Sequence, residues 1–152
     1  MDMPSKQVKR IYVASSWRCM MQPAIVAMLR AAKFEVYDFK NPKEGDNGFH
    51  WSELDSKYKT WTAEKFIYAL KHPISEAGFK SDFDAMQWAD TCVLVLPCNR
   101  SAHLEAGWFV GNGRQLHILI EPDGFEPELM YKMADSVSDN TMDLLAHLGV
   151  KD

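Results

Sequence analysis

Residues 8–39 read VKRIYVASSWRCMMQPAIVAMLRAAKFEVYDF, and this stretch decides the fold. Its opening, residues 8–15 (VKRIYVAS), is β-branched and apolar, the composition of a buried strand. Residues 22–33 (QPAIVAMLRAAK) set Ile25, Met28, Leu29 and Ala32 on one helical face. Pro23 falls in the first turn, where its missing N–H costs nothing. Residues 34–39 (FEVYDF) alternate and read as a second strand. Strand, helix and strand within about thirty residues make one βαβ unit, and its crossover is right-handed.

The alternation continues downstream. Residues 41–48 turn polar, with Pro42, Gly45 and Gly48. Residues 49–73 are dense in rings (Phe49, His50, Trp51, Tyr58, Trp61, Phe66, Tyr68) and read as one or two short helices inserted after the second strand. Residues 75–89 form a helix with Phe79, Phe83, Met86 and Ala89 at helical spacing. Residues 91–96 (TCVLVL) are continuously apolar, as a central parallel strand is. Ser101 caps a helix over SAHLEAGWFVG that stops near Gly111 and Gly113. Residues 115–120 (QLHILI) are the fourth strand, 121–127 a loop, and 128–133 a short helix. Ser136 and Val137 fit a small edge strand. Residues 140–148 form a last helix with Met142, Leu145 and Leu148 inward. The expected fold class is α/β: a flavodoxin/Rossmann-like open parallel sheet of four to five strands, helices on both faces, and a helical aromatic insertion after strand 2. One domain over residues 1–152 is expected.

Composition narrows the partners. The chain has 152 residues and a net charge near −4, without a basic block. Duplex nucleic acid is disfavoured, because phosphate neutralisation needs clustered Lys and Arg. A small anionic ligand needs only one or two local cations and stays open. The opening residues MDMPSKQVKR lack the apolar run of a signal peptide, and no stretch approaches a membrane span. Cys19, Cys92 and Cys98 show no zinc-type pairing and read as reduced thiols of a cytoplasmic protein. The expectation is no membrane, no metal and no cofactor.

In open parallel sheets ligands bind beyond the carboxyl ends of the strands, where the strand order reverses. Three segments lie there. The first is SSWRCM, residues 15–20. Backbone N–H groups plus Arg18 can hold a phosphate; a hydroxyl-rich helix cap with a surface arginine fits as well. Neither a dinucleotide fingerprint nor a Walker loop is present. The second is PCNRSAHLEAGW, residues 97–108, which puts Glu105 on the first turns of a helix. A carboxylate held ionised there can attack or stabilise a cationic sugar; from position alone, a glutamate serving the helix dipole is the favoured reading. The third is Asp82, with Asp84 and Asp90 after it. Asp82 can act as general acid to a leaving base or be a first-turn charge, and Asp90 reads as structural. His103 neighbours Glu105 and can orient it. Cys98 reads as a buried thiol, and the remaining histidines show no metal spacing. Of the rings, Trp51 is the first choice for stacking on a ligand.

Together these segments resemble the nucleoside 2-deoxyribosyltransferase superfamily, which includes the 2′-deoxynucleoside 5′-phosphate N-hydrolases and the CMP-type N-glycosidases. IYVASSWR stands where such families carry a strand and a small-residue turn ending in arginine. DFDAMQWAD, residues 82–90, followed by TCVLVL, matches a D-x₇-D ahead of an apolar strand. SAHLEAGW matches a helix with E-x-G-x, and GNGRQLHIL its glycine-rich exit. The resemblance implies that Glu105 is the catalytic carboxylate and Asp82 the acid beside the leaving group. Arg18, Ser16 and Ser101 match positions that hold the 5′-phosphate, and Tyr12 lies near a tyrosine used by some members. The candidate substrate contacts are Ser15, Ser16, Trp17, Arg18, Trp51, Asn99, Ser101 and His103. The implied partner is a small-molecule nucleoside or nucleotide, and the implied assembly a homodimer.

The chain departs from the pattern in lacking glycine where Ser15 and Ser16 stand. Ser101 precedes Glu105 by only four residues, and residues 41–73 have no counterpart. TIR domains share the general layout and use a glutamate to cleave NAD, which gives an alternative enzyme. A non-catalytic nucleotide sensor on the same fold is a third reading.

Overall fold

The computed structural model describes residues 7–151; the first six residues, read above for a leader, lie outside them. Five parallel strands form one sheet: β1 (Arg10–Ala14), β2 (Glu35–Asp38), β3 (Thr91–Val95), β4 (Gln115–Leu119) and β5 (Ser136–Ser138). Their order is β2-β1-β3-β4-β5, the flavodoxin-like arrangement. The helices are α1 (Gln22–Ala31), α2 (Ala63–Ala69), α3 (Pro73–Trp88), α4 (Arg100–Gly111) and α5 (Thr141–His147).

Strand alternation divides the core into two layers. On one face Tyr12, Ala14, Cys92, Leu94, Leu116 and Ile118 meet Ala85 and Met86 of α3 and Ala102, Ala106 and Phe109 of α4. On the other, Ile11, Val13, Val93, Val95 and Leu119 meet Ile25, Val26 and Leu29 of α1, Leu144 of α5 and Leu148 at its C-terminal cap. β3, with neighbours on both sides, is buried throughout, which is why its sequence shows no alternation.

Three local expectations are corrected. Met142 is 75% exposed and Leu144 fully buried. The inward stripe of α5 runs through Leu144 and Leu148, and a residue two positions from Leu144 points about 200° away around the helix. Phe79 is 64% exposed; its turn of α3 borders a cleft, where the ring stacks on Phe83. Ser101 does not cap α4: Asn99 is the capping residue, and its side chain makes no cap bond. The insertion is built of two 3₁₀ turns, Trp51–Glu53 and Tyr58–Thr60, ahead of α2.

The chain leaves β1 toward β2 on one side and leaves β3 toward β4 on the other. The two exit loops therefore diverge and open a crevice between them. Ser15 Oγ donates to the Val95 carbonyl at 2.8 Å, tying the two strand ends at that crevice.

Candidate active site

A cleft of about 770 Å³ opens at the switch point. Its floor and rim contain Ser15, Ser16, Trp17 and Arg18 from the loop after β1. Asp82 comes from α3, Asn99 and Ser101 from the start of α4, Glu105 from its second turn, and Trp51 from the insertion. His103 does not line the cleft. Its Nε2 lies 2.9 Å from the Tyr131 hydroxyl, its Nδ1 3.0 Å from the Asn99 carbonyl, and its ring stacks on Tyr131. Two residues apart on a helix, His103 and Glu105 face nearly opposite ways, so the histidine cannot orient the carboxylate. Ser101 and Glu105, four apart, share a face.

Glu105 sits where α4 packs against the sheet. Burial pushes its carboxyl up to about 7, the nearby Asp82 charge adds to the rise, and hydrogen bonding from the Tyr12 hydroxyl pulls it down. Burial thus brings the group close to neutrality, so that it changes charge within the working pH range instead of staying ionised well below it. The sign follows. Folding favours the protonated form, so this contribution to stability is complete below the ordinary 4.5 and lost as pH rises through about 7. Glu105→Gln keeps the shape and removes the ionisation. It is expected to melt above the parent protein at about pH 8.5 and level with it near pH 4. A lower melting point at the alkaline pH, read by circular dichroism, contradicts the burial.

Asp82 is also raised by burial, with Asp46 adding to the rise and the Tyr37 hydroxyl opposing it. Tyr37 donates to Asp82 Oδ1 at 2.7 Å, and its oxygen lies 3.2 Å from Ser81 Oγ. Tyr12 and Tyr37 are partners in the β1–β2 register and stack at 5.4 Å. A pair of stacked phenols therefore supports the two carboxylates, Tyr12 at Glu105 and Tyr37 at Asp82. Burial raises both phenols well above their ordinary value, so both remain donors. Tyr37 was missed in the sequence; the available signal was a tyrosine at the same depth in each of two adjacent strands.

Arg18 is exposed and, among the described residues, has no ion-pair partner. Its own N–H donates to Ser16 Oγ at 3.2 Å. Asp90 is structural: Oδ2 accepts from the Arg10 N–H and Oδ1 from the Thr91 hydroxyl. Burial pushes the Cys98 thiol up to about 12, which keeps it protonated and poorly nucleophilic. Among the described residues no cluster of three or more His, Cys, Asp and Glu side chains is arranged to hold a metal. No helix there is long and apolar enough to cross a membrane.

The insertion closes the far side of the cleft with rings. Trp51 meets Phe49, Trp61 and Phe66 edge-to-face, and Asp55 pins the Trp61 indole N–H at 2.7 Å. Trp17 packs on Phe39 and His50. It also lies against Gly48, whose φ is +80°; a Cβ there would meet the Phe39 carbonyl at 2.5 Å and the Trp17 ring at 2.9 Å. Gly45 has the same φ and open space around it. Gly45→Ala is expected to cost about 1 kcal/mol for the backbone alone. Gly48→Ala should cost about 2–3 kcal/mol, because something must also shift. Equal denaturant midpoints for the two variants would refute a seat for Trp17 on Gly48.

The sequence matches no family model and no curated protein. Solved structures do match. A 2-deoxyribosyltransferase from Bacillus psychrosaccharolyticus aligns over 89% of this chain and 89% of its own, with 17% identity and a TM-score of 0.62. The CMP N-glycosidase BcmB of Clostridium botulinum aligns over 93% of this chain and 100% of its own, with 15% identity and a TM-score of 0.50. This chain has the open parallel α/β fold of a 2-deoxyribosyltransferase and of a CMP N-glycosidase.

Proposed function

We propose that the protein cleaves or exchanges the N-glycosidic bond of a nucleoside or nucleoside 5′-monophosphate, with Glu105 and Asp82 as its catalytic residues. One observation carries the reading: Glu105, Asp82 and the exposed Arg18 border a single cleft at the sheet's switch point. Breaking the bond between C1′ and the base nitrogen leaves a cationic sugar, which a carboxylate stabilises or captures. Glu105 takes that role in its ionised form, so the rate is expected to rise as pH climbs through about 7. Asp82, which lines the cleft from α3 and is hydrogen-bonded by Tyr37, is assigned to the departing nitrogen, to which it delivers a proton or which it holds by hydrogen bond. Water then supplies the oxygen that replaces the base at C1′, displacing Glu105 where it has captured the sugar and returning a proton to Asp82; a second base supplies a nitrogen and gives up its proton in the same way.

Further support comes from the rim. The first N–H groups of α4 have no helical partner and open beside Asn99 and Ser101, which together with Arg18 and Ser16 suits a 5′-phosphate. The rings of the insertion suit a flat base. Two solved structures of this fold are, by name, a 2-deoxyribosyltransferase and a CMP N-glycosidase, an argument by analogy. A homodimer belongs to the same reading, by analogy alone.

The test is a panel of nucleosides, nucleoside monophosphates and NAD, scored for free base by chromatography. Release from a nucleoside or its monophosphate is the expected outcome. Tight binding without release would make the protein a sensor, and cleavage of NAD alone a TIR-like enzyme.

A further inference from the structure

Beside the main cleft lies a second cavity of about 220 Å³, lined in part by Pro42, Asp46, Ile74 and Ala77. Phe49, Gly78 and Asp82 border both spaces. Gly78 and Asp82 are four residues apart on α3 and share a face. A Cβ at Gly78 would lie 2.9–3.0 Å from the Phe49 ring and its Cβ, so the ring rests directly on the helix backbone. Trp51 holds the other side of Phe49 edge-to-face at 4.7 Å. The next residue, His50, is fixed by its N–H donating to Glu53 Oε2 at 2.8 Å. The ring is thus held between Gly78 and Trp51, beside a fixed backbone, where it borders both spaces.

We propose that Phe49, seated on Gly78, is a specificity-determining residue: it closes the base end of the cleft and excludes bases carrying a bulky group on their outer edge. The inference rests on the reading that the leaving base lies against Asp82. If so, the base points toward the Phe49 ring, and the space behind it is what a larger base would occupy. Glycine at 78 is required for this seat, since any side chain there displaces the ring.

The experiment compares a matched pair of nucleoside monophosphates, one with the bare base and one with a phenyl-sized group on the ring's outer edge. Both kcat/KM and Kd are measured for the parent protein, Phe49→Ala, Phe49→Leu and Gly78→Ala, with melting curves to confirm folding. The parent protein is expected to disfavour the bulky nucleotide. Phe49→Ala is expected to narrow that preference by about tenfold or more, Phe49→Leu by less, and Gly78→Ala to narrow it with Phe49 still present. A preference unchanged in the folded Phe49 variants overturns the proposal while base release leaves the catalytic reading standing. Binding without release ends the catalytic reading and leaves the Kd ratios to decide on Phe49. No binding of either nucleotide overturns both.

Discussion

Replacing Glu105 with alanine is expected to slow release of free base by on the order of a hundredfold or more, with folding intact. The effect is electrostatic. Positive charge develops on the sugar only as the glycosidic bond stretches, so a carboxylate beside C1′ acts on the transition state far more than on the bound substrate. In the half-buried setting of Glu105 that attraction is stronger than in water. The loss should therefore fall on kcat, with KM changed little. Folding should survive because removing the side chain removes a desolvated carboxyl rather than an ion pair; the protein's two ion pairs among the described residues lie elsewhere, Arg10–Glu35 and Lys80–Asp84. Steady-state kinetics with a melting curve check both halves. A loss confined to KM would make Glu105 a binding residue only.

Asp82→Asn is expected to lower the rate by about a hundredfold. Asparagine keeps the size of the side chain and can still accept from Tyr37, but it has no acidic proton to deliver. The variant's defect should depend on the leaving base. An ordinary base needs protonation to depart, whereas an N7-methylated purine already carries positive charge and leaves without help. Asp82→Asn should therefore handle a 7-methylguanine nucleotide with much less than that loss, while Glu105→Ala is impaired on both. Measured side by side, an equal loss of Asp82→Asn on the two leaving groups would remove the acid role and leave Asp82 a positioning residue. The Asp82 charge helps to raise Glu105, so Asp82→Asn should also move the pH dependence set by Glu105 toward lower pH.

Much of this arrangement was legible in the sequence, for a physical reason. A buried parallel strand must be apolar along its whole length, so TCVLVL announced the centre of the sheet, and the loops at its ends located the ligand edge. Glu105 was legible as a helix residue one turn beyond Ser101, which puts both on one face. What was not legible depends on contacts between distant segments. His103 turns to Tyr131 through a 3₁₀ turn twenty-eight residues away. The pairing of Tyr12 with Tyr37 requires the β1–β2 register. The placement of Phe49 on Gly78 requires knowing how the insertion folds back on α3. The raised carboxyl of Glu105 was not legible either, because burial, its main cause, belongs to tertiary structure.

The most direct measurement is a crystal structure of Glu105→Ala with the nucleotide that the parent protein cleaves best. The account predicts one ligand in the cleft: phosphate against Arg18 and the start of α4, C1′ facing the space left by the missing carboxylate, and the base nitrogen within hydrogen-bond reach of Asp82. A nucleotide bound elsewhere, or one whose sugar turns its anomeric carbon away from residue 105, would contradict it.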